Sequence, residues 1–286
     1  MADHADEHII EAIGRCRVVV QNGKVVSVGD PIIADCPLAK RFAFPVPEIT
    51  KEAVKENIEH RIQAFGMCTP AREVLDTRPF VGFGASELII FGIQAGLIDA
   101  AVIACDGAGT VIAPTPALVQ GIGGRMSGLV RTTLYHDVIK RIEQNGGYVL
   151  DHTAGRIDQL AGVVLAREEG FARIAVTVAD PGTAEAIRKI HPDTFVVAVH
   201  VSGLTHDEAR RLVAASDLVT ACASKPIREI AGAKALVQAG ISIPVFAMTP
   251  RGKNLIIEKI RQGNEPVLIK PTRLPVTGDK EPTPLV

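Results

Sequence analysis

Four cysteines stand at breaks in the pattern of this chain. Cys36 precedes Pro37, Cys68 precedes Thr69-Pro70, and Cys105 and Cys222 close two apolar runs. Thiolate is a soft ligand, so four thiolates from separate loops suit a [4Fe–4S] cluster or a soft metal. Three with one open position would suit a cluster that binds substrate. Cys36, Cys68, Cys105 and Cys222 are therefore the candidate metal ligands. No CxxC pair occurs, so zinc-ribbon and ferredoxin spacings are absent. The same thiols suit plain burial, because free cysteine packs as a small hydrophobe. A nucleophilic cysteine is the third reading. Cys105 runs into Asp106-Gly107-Ala108-Gly109-Thr110, which sets a thiol and a carboxylate against a glycine-rich turn. With His200 and Lys225, which follow later apolar runs, Cys105 and Asp106 are the candidate catalytic residues. His200 suits a base or a ligand. Lys225 at a helix start opposes the helix dipole and so points to an anion.

Two glycine-rich loops suit an anion, because backbone N–H groups freed by glycine form a nest. Gly107, Gly109 and Thr110 make the first. Gly123, Gly124, Arg125 and Ser127 make the second, where Arg125 adds a bidentate donor. Gly82-Phe83-Gly84-Ala85-Ser86 at a helix start is a third phosphate seat. Tight turns alone would also explain these glycines. No GKS or GKT follows them, so a Walker A loop is absent. Gly121-x-Gly123-Gly124 follows a helix and makes a poor dinucleotide fingerprint. No GxSxG exists to carry a nucleophile elbow.

These residues need elements to hold them. Residues 7–14 read as a short helix. Strands 17–20 and 24–28 flank Asn22-Gly23, a hairpin signal of type I′. Residues 29–47 read as loop. Thr50 caps a helix over 51–65 that ends at Gly66, and Ser86 caps one that ends near Gly96. The run 100–104 is apolar on both faces, as a strand in a parallel sheet must be. Residues 115–131 begin as helix, and another helix covers 135–145. Helices then cover 157–169, 182–190, 205–215, 226–239 and 251–262. They alternate with strands over 173–179, 194–200, 217–222 and 243–247. This alternation predicts an α/β fold whose sheet is mostly parallel, with helices on both faces and a small N-terminal β-hairpin. Ligands in such sheets lie outside the carboxyl ends of the strands. The expected segments are 1–47, 48–147 and 148–263, with an extended, weakly ordered tail over 264–286.

Composition narrows the function classes. The chain has 286 residues, 47% of them hydrophobic, so a substantial core forms. It has no Trp and two Tyr, too few rings for a single-stranded nucleic-acid platform. A formal net charge of −1 gives no basic excess for nucleic acid or an anionic membrane. No apolar run reaches bilayer length. The polar, acidic start MADHADEHII is unlike a signal peptide, and a cytoplasmic protein is expected. Five cysteines, an odd number, argue against a disulfide framework.

Several strings together carry a resemblance. They are EAIGRCRVVVQNGKVVSVG near the start, VKENIEHRIQAFGMCTP at 54–70, GLIDAAVIACDGAGTVI at 96–112, VQGIGGRMSGLV at 119–130, RIAVTVAD at 173–180 and LVTACASKPIREIA at 218–231. Over residues 7–263 the chain resembles the methanogenesis marker protein 8 family. The resemblance implies a cytoplasmic archaeal protein linked to methane metabolism or to maturing its machinery. It implies no reaction and no catalytic residue. Residues 85–104 also look like the helix–strand unit of the deazaflavin-dependent hydrogenase beta-subunit family. The expected function is an accessory enzyme or maturation factor with a cysteine-lined site and an anion-binding loop. Its partner is a small anionic molecule or a methanogenesis protein, and homo-oligomers stay open. Two alternatives remain: a non-catalytic assembly protein with structural cysteines, and a deazaflavin- or nucleotide-dependent oxidoreductase without a cluster.

Overall fold

A computed structural model describes residues 6–286. The first five residues, which open both the 1–47 segment and the polar stretch weighed as a leader, lie outside the described residues. The strands are β1 (Glu7–Glu11), β2 (Arg17–Gln21), β3 (Lys24–Val28), β4 (Ala100–Cys105), β5 (Gly109–Ala113), β6 (Gly128–Arg131), β7 (Tyr148–Val149), β8 (Ile174–Val178), β9 (Phe195–Ala198), β10 (Leu218–Thr220), β11 (Val237–Ala239) and β12 (Val245–Ala247). The helices are α1 (Lys51–Phe65), α2 (Ala85–Gln94), α3 (Pro116–Ile122), α4 (His136–Gln144), α5 (Gln159–Glu168), α6 (Pro181–Ile190), α7 (His206–Ala215), α8 (Lys225–Lys234) and α9 (Pro250–Gln262).

Local signals act where the sequence places them. Asn22 and Gly23 take φ of 50° and 69° and turn β2 into β3. Thr50 accepts the Ala53 N–H at 3.1 Å and starts α1. The residues expected to start the chain as a helix form β1 instead. His8 and Ile10 are buried while Glu7, Ile9 and Glu11 are half-buried, a period of two. Pairing with β2 on one side and β6 on the other satisfies both edges of β1. The small sheet is therefore antiparallel, in the order β3-β2-β1-β6, and packs its inner face on α1.

The large sheet runs β11-β12-β10-β9-β8-β4-β5-β7. It corrects the expectation of a mostly parallel sheet. Only β4, β8, β9 and β10 are parallel neighbours. Antiparallel pairs flank them: β4 with β5 and β5 with β7 on one side, β10 with β12 and β12 with β11 on the other. Two misread segments explain the difference. Asp106-Gly107-Ala108 is the turn of a β4–β5 hairpin, with φ of 86° at Gly107. Helix α8 stops at Lys234, and residues expected to continue it form β11. Helix α2 also starts differently, capped by Gly84 rather than Ser86.

Helices cover both faces. Ala101, Ile103 and Cys105 meet α2, α3, α4 and α9, while Ala100 and Val102 meet α5 to α8. The sheet takes strands from both sides of residue 148. Its parallel strands deliver Asp106, Asp180, His200 and Cys222 to one rim. The small sheet is tied to that rim by Glu11 on His200 at 2.6 Å and by Arg15 donating to the Ser202 carbonyl at 2.5 Å. Residues 264–286 hold no helix or strand, yet they dock. Thr283 bridges Asp35, Glu281 pairs with Arg228, and the Val286 N–H donates to the Ala223 carbonyl. No helix among the described residues is long and apolar enough to cross a membrane.

Candidate functional site

The β4–β5 turn is sealed rather than open. Its carboxylate, Asp106, accepts the Cys68 N–H at 2.6 Å and the Arg72 Nε–H at 2.8 Å. The Arg72 and Asp106 side chains are both 0% exposed. Burial works against the charge on Arg72, but Asp106 outweighs it and the guanidinium is held charged. The turn amides are also taken. Gly107 donates to Thr132 Oγ1 at 2.7 Å, Ala108 to the Cys105 carbonyl and Thr110 to the Arg156 carbonyl. Thr110 Oγ1 bonds Gln159 and the Asp158 N–H. The nest expected at Gly107, Gly109 and Thr110 therefore serves the fold.

The second loop meets cations instead. Gly123–Arg125 forms a single 3₁₀ turn after α3, and Ser127 beyond it is exposed. The Arg125 guanidinium carbon lies 4.6 Å from the Phe65 ring centroid, and that of Arg72 lies 4.9 Å from it. Arg61, one turn before Phe65 on α1, donates to the Arg125 carbonyl at 3.2 Å and covers Phe42. Two guanidinium groups thus face the Phe65 ring, and the third, over Phe42, adjoins them. Asp76 pairs with Arg125 at 2.6 Å, Glu73 lies 3.9 Å from the Arg125 Nη1, beyond hydrogen-bond reach, and Asp106 pairs with Arg72. No carboxylate among the described residues pairs with Arg61. Burial, and then the like charge of Arg72, bring Arg61 down to about 10. Nη2 of Arg72 and Nη1 of Arg125 are buried and have no acceptor, and the Gln120 amide oxygen beside Gly124 has no donor.

The thiols divide. Cys68 is joined to the β4 end through Asp106, beside Cys105, whereas Cys222 lies at the end of β10. Two strands separate β4 from β10, which at ordinary spacing places their ends about 14 Å apart. One cluster cannot take ligands so spread, and no group of three or more His, Cys, Asp or Glu among the described residues is set to hold a metal. The quartet of Cys36, Cys68, Cys105 and Cys222 does not fit a [4Fe–4S] core. Burial also pushes every thiol up, Cys16 to about 11 and Cys105 to about 12. Cys105 is a protonated donor to the Asp106 carbonyl at 3.3 Å, unlike an activated nucleophile.

His200 lies on the rim with φ of 56° and bonds Glu11, two strands from the Asp106 turn. Lys225 begins α8, and its N–H donates to the Val286 oxygen at 2.8 Å, so the chain itself fills that helix end. An open cleft of about 430 Å³ at the end of β8 is lined by Asp158, Gln159, Asp180 and Thr183. Its two carboxylates already cap α5 and α6. Arg61, Arg72 and Gln120 were not among the expected site residues. Only Arg61 carried a signal, its four-residue spacing from Phe65 on one helix face.

Residues 8–261 match the family described as an uncharacterized protein conserved in archaea (DUF2099). The chain is also 42% identical over 284 residues to an uncharacterized protein of Methanocaldococcus jannaschii, covering 98% of this chain and 100% of that one. With its core strands and guanidinium cluster all inside the matched span, the chain belongs to this family of proteins conserved in archaea.

Proposed function

We propose that the protein holds a small oxoanion, a carboxylate or a phosphate, in the guanidinium cluster around Phe65. In this reading it acts as an accessory enzyme or maturation factor of methane metabolism. The observation that carries the binding is the pair of buried, acceptorless N–H groups, Nη2 of Arg72 and Nη1 of Arg125. A buried unpaired donor costs about 1–3 kcal/mol, and more on a charged group. The oxygens of an anion remove that cost, and its charge relieves Arg61. The resemblance to the methanogenesis marker protein 8 family supports the metabolic setting.

Titration calorimetry with inorganic phosphate and with succinate, joined to thermal melts, tests the binding. Saturable uptake of at least one anion is expected. At a hundredfold excess over Kd it raises Tm by about 5 °C. Arg125→Gln should weaken uptake at least tenfold. Heats of dilution alone for both anions would end this reading.

A further inference from the structure

We infer that Cys36 and Cys222 form a redox-active dithiol, oxidised to a disulfide by small-molecule disulfides. The site is separate from the oxoanion seat and does not depend on it.

The end of the chain brings the two thiols together. Thr283 pairs with Asp35, the neighbour of Cys36, and the Val286 N–H donates to the carbonyl of Ala223, the neighbour of Cys222. Thr283 and Val286 are three residues apart, at most about 11 Å of chain. Cys36 and Ala223 belong to one apolar cluster. Arg228 joins the pair: its Nη2 donates to the Cys222 carbonyl at 2.9 Å, and its charge acts on both Cys36 and Cys222. Glu281, on the same segment as Thr283, holds its Nη1 at 2.7 Å.

Backbone donors surround each sulfur. The His200 and Val201 N–H groups face that of Cys222, and the Leu38 and Ala39 N–H groups face that of Cys36. Arg228 is 4% exposed, and its Nε has no acceptor. A neutral thiol is a weak acceptor for such groups. Burial opposes a charge on either sulfur, so these donors matter most as a thiolate forms, which is the species that thiol–disulfide exchange requires. Cys222 has φ of 47°, a region that a non-glycine residue enters at a cost. It is half-buried, whereas the other four cysteines are buried. Cys222 is therefore the attacking thiol, and Cys36 resolves.

The Cys222 thiolate attacks one sulfur of the incoming disulfide. A new S–S bond forms, the old one breaks, and the leaving thiolate takes up the proton that Cys222 released. Cys36 then gives up its proton and attacks the Cys222 sulfur, and the second small thiol leaves with that proton. The two protein sulfurs lose two electrons, and the small disulfide gains them.

The test adds hydroxyethyl disulfide to the reduced, folded full chain at about pH 8 and quenches with acid for intact mass and peptide mapping. The expected product is two hydrogens lighter, carries no adduct and maps to a Cys36–Cys222 cross-link. It should form at least tenfold faster than adducts on Cys16, Cys68 or Cys105. Cys36→Ser should stop at a mixed disulfide on Cys222, and Cys222→Ser should slow the whole reaction at least tenfold. The peptide map of the parent decides by itself if either variant fails to fold. A lasting adduct on Cys222 in the parent, a cross-link between other cysteines, or no reaction of the folded chain overturns the dithiol.

Discussion

Glu11 and His200 join the small sheet to the rim of the large one, 2.6 Å apart and largely shielded from water. The hydrogen bond from His200, more than the charge of Arg15, holds the Glu11 carboxyl at about 2 rather than 4.5. The sign follows from proton binding. Between these values the unfolded chain binds the proton and the folded one does not. Glu11 therefore adds stability that is complete above pH 4.5 and is lost as pH falls toward 2. The difference corresponds to about 3 kcal/mol at most. Urea unfolding at pH 6, 4.5 and 3 should show His200→Gln less stable than the parent at pH 6. The gap should narrow steadily toward pH 3. Parallel curves would mean that the pair contributes no acid dependence.

The β4–β5 hairpin depends on a close approach that a pair of glycines can isolate. Gly109 and Gly146 both have φ of 79°, so alanine is equally strained in each backbone. They differ in surroundings. A Cβ on Gly109 would stand 2.4 Å from the Arg156 carbonyl oxygen, whereas one on Gly146 meets nothing within 4 Å. Gly146→Ala should cost about 1 kcal/mol. Gly109→Ala should cost about 3 kcal/mol or more, because backbone must move. Equal midpoints in urea would show that segment 155–156 yields freely. The contrast also shows why some elements were legible and others not. Thr50, Gly66 and Asn22-Gly23 act on their own neighbours, so α1 and the β2–β3 hairpin were readable. The strand character of β1 depends on Ile10 pairing with Leu129, over a hundred residues away. The Asp106 turn was misread because hairpin glycines and ligand-nest glycines are the same residues. At the site, Arg125 was legible from its own glycine loop. Arg72 was not, since only the fold brings Asp106 and Phe65 to it.

The whole molecule is held together by long returns of the chain, and the 264–286 segment makes the longest. Its Glu281 is the carboxylate on Arg228, at 2.7 Å, and Arg228 is buried against the Cys222 and Ser242 carbonyls. Removing the negative charge leaves a buried guanidinium unpaired. A fully buried pair broken this way costs 3–5 kcal/mol. Glu281 keeps some solvent, so Glu281→Gln should cost about 2 kcal/mol. The loss should be local, because the segment touches the end of β10 and not the Asp106 turn. Cys222 beside Arg228 is the natural reporter, and Cys68 and Cys105, about three strand spacings away, are internal references. Under native conditions alkylation of Cys222 should speed up about tenfold in Glu281→Gln, with the two references unchanged. If all three thiols quicken together, the pair supports global stability. The 264–286 segment would then be a general brace of the fold rather than a local cover for the β10 end.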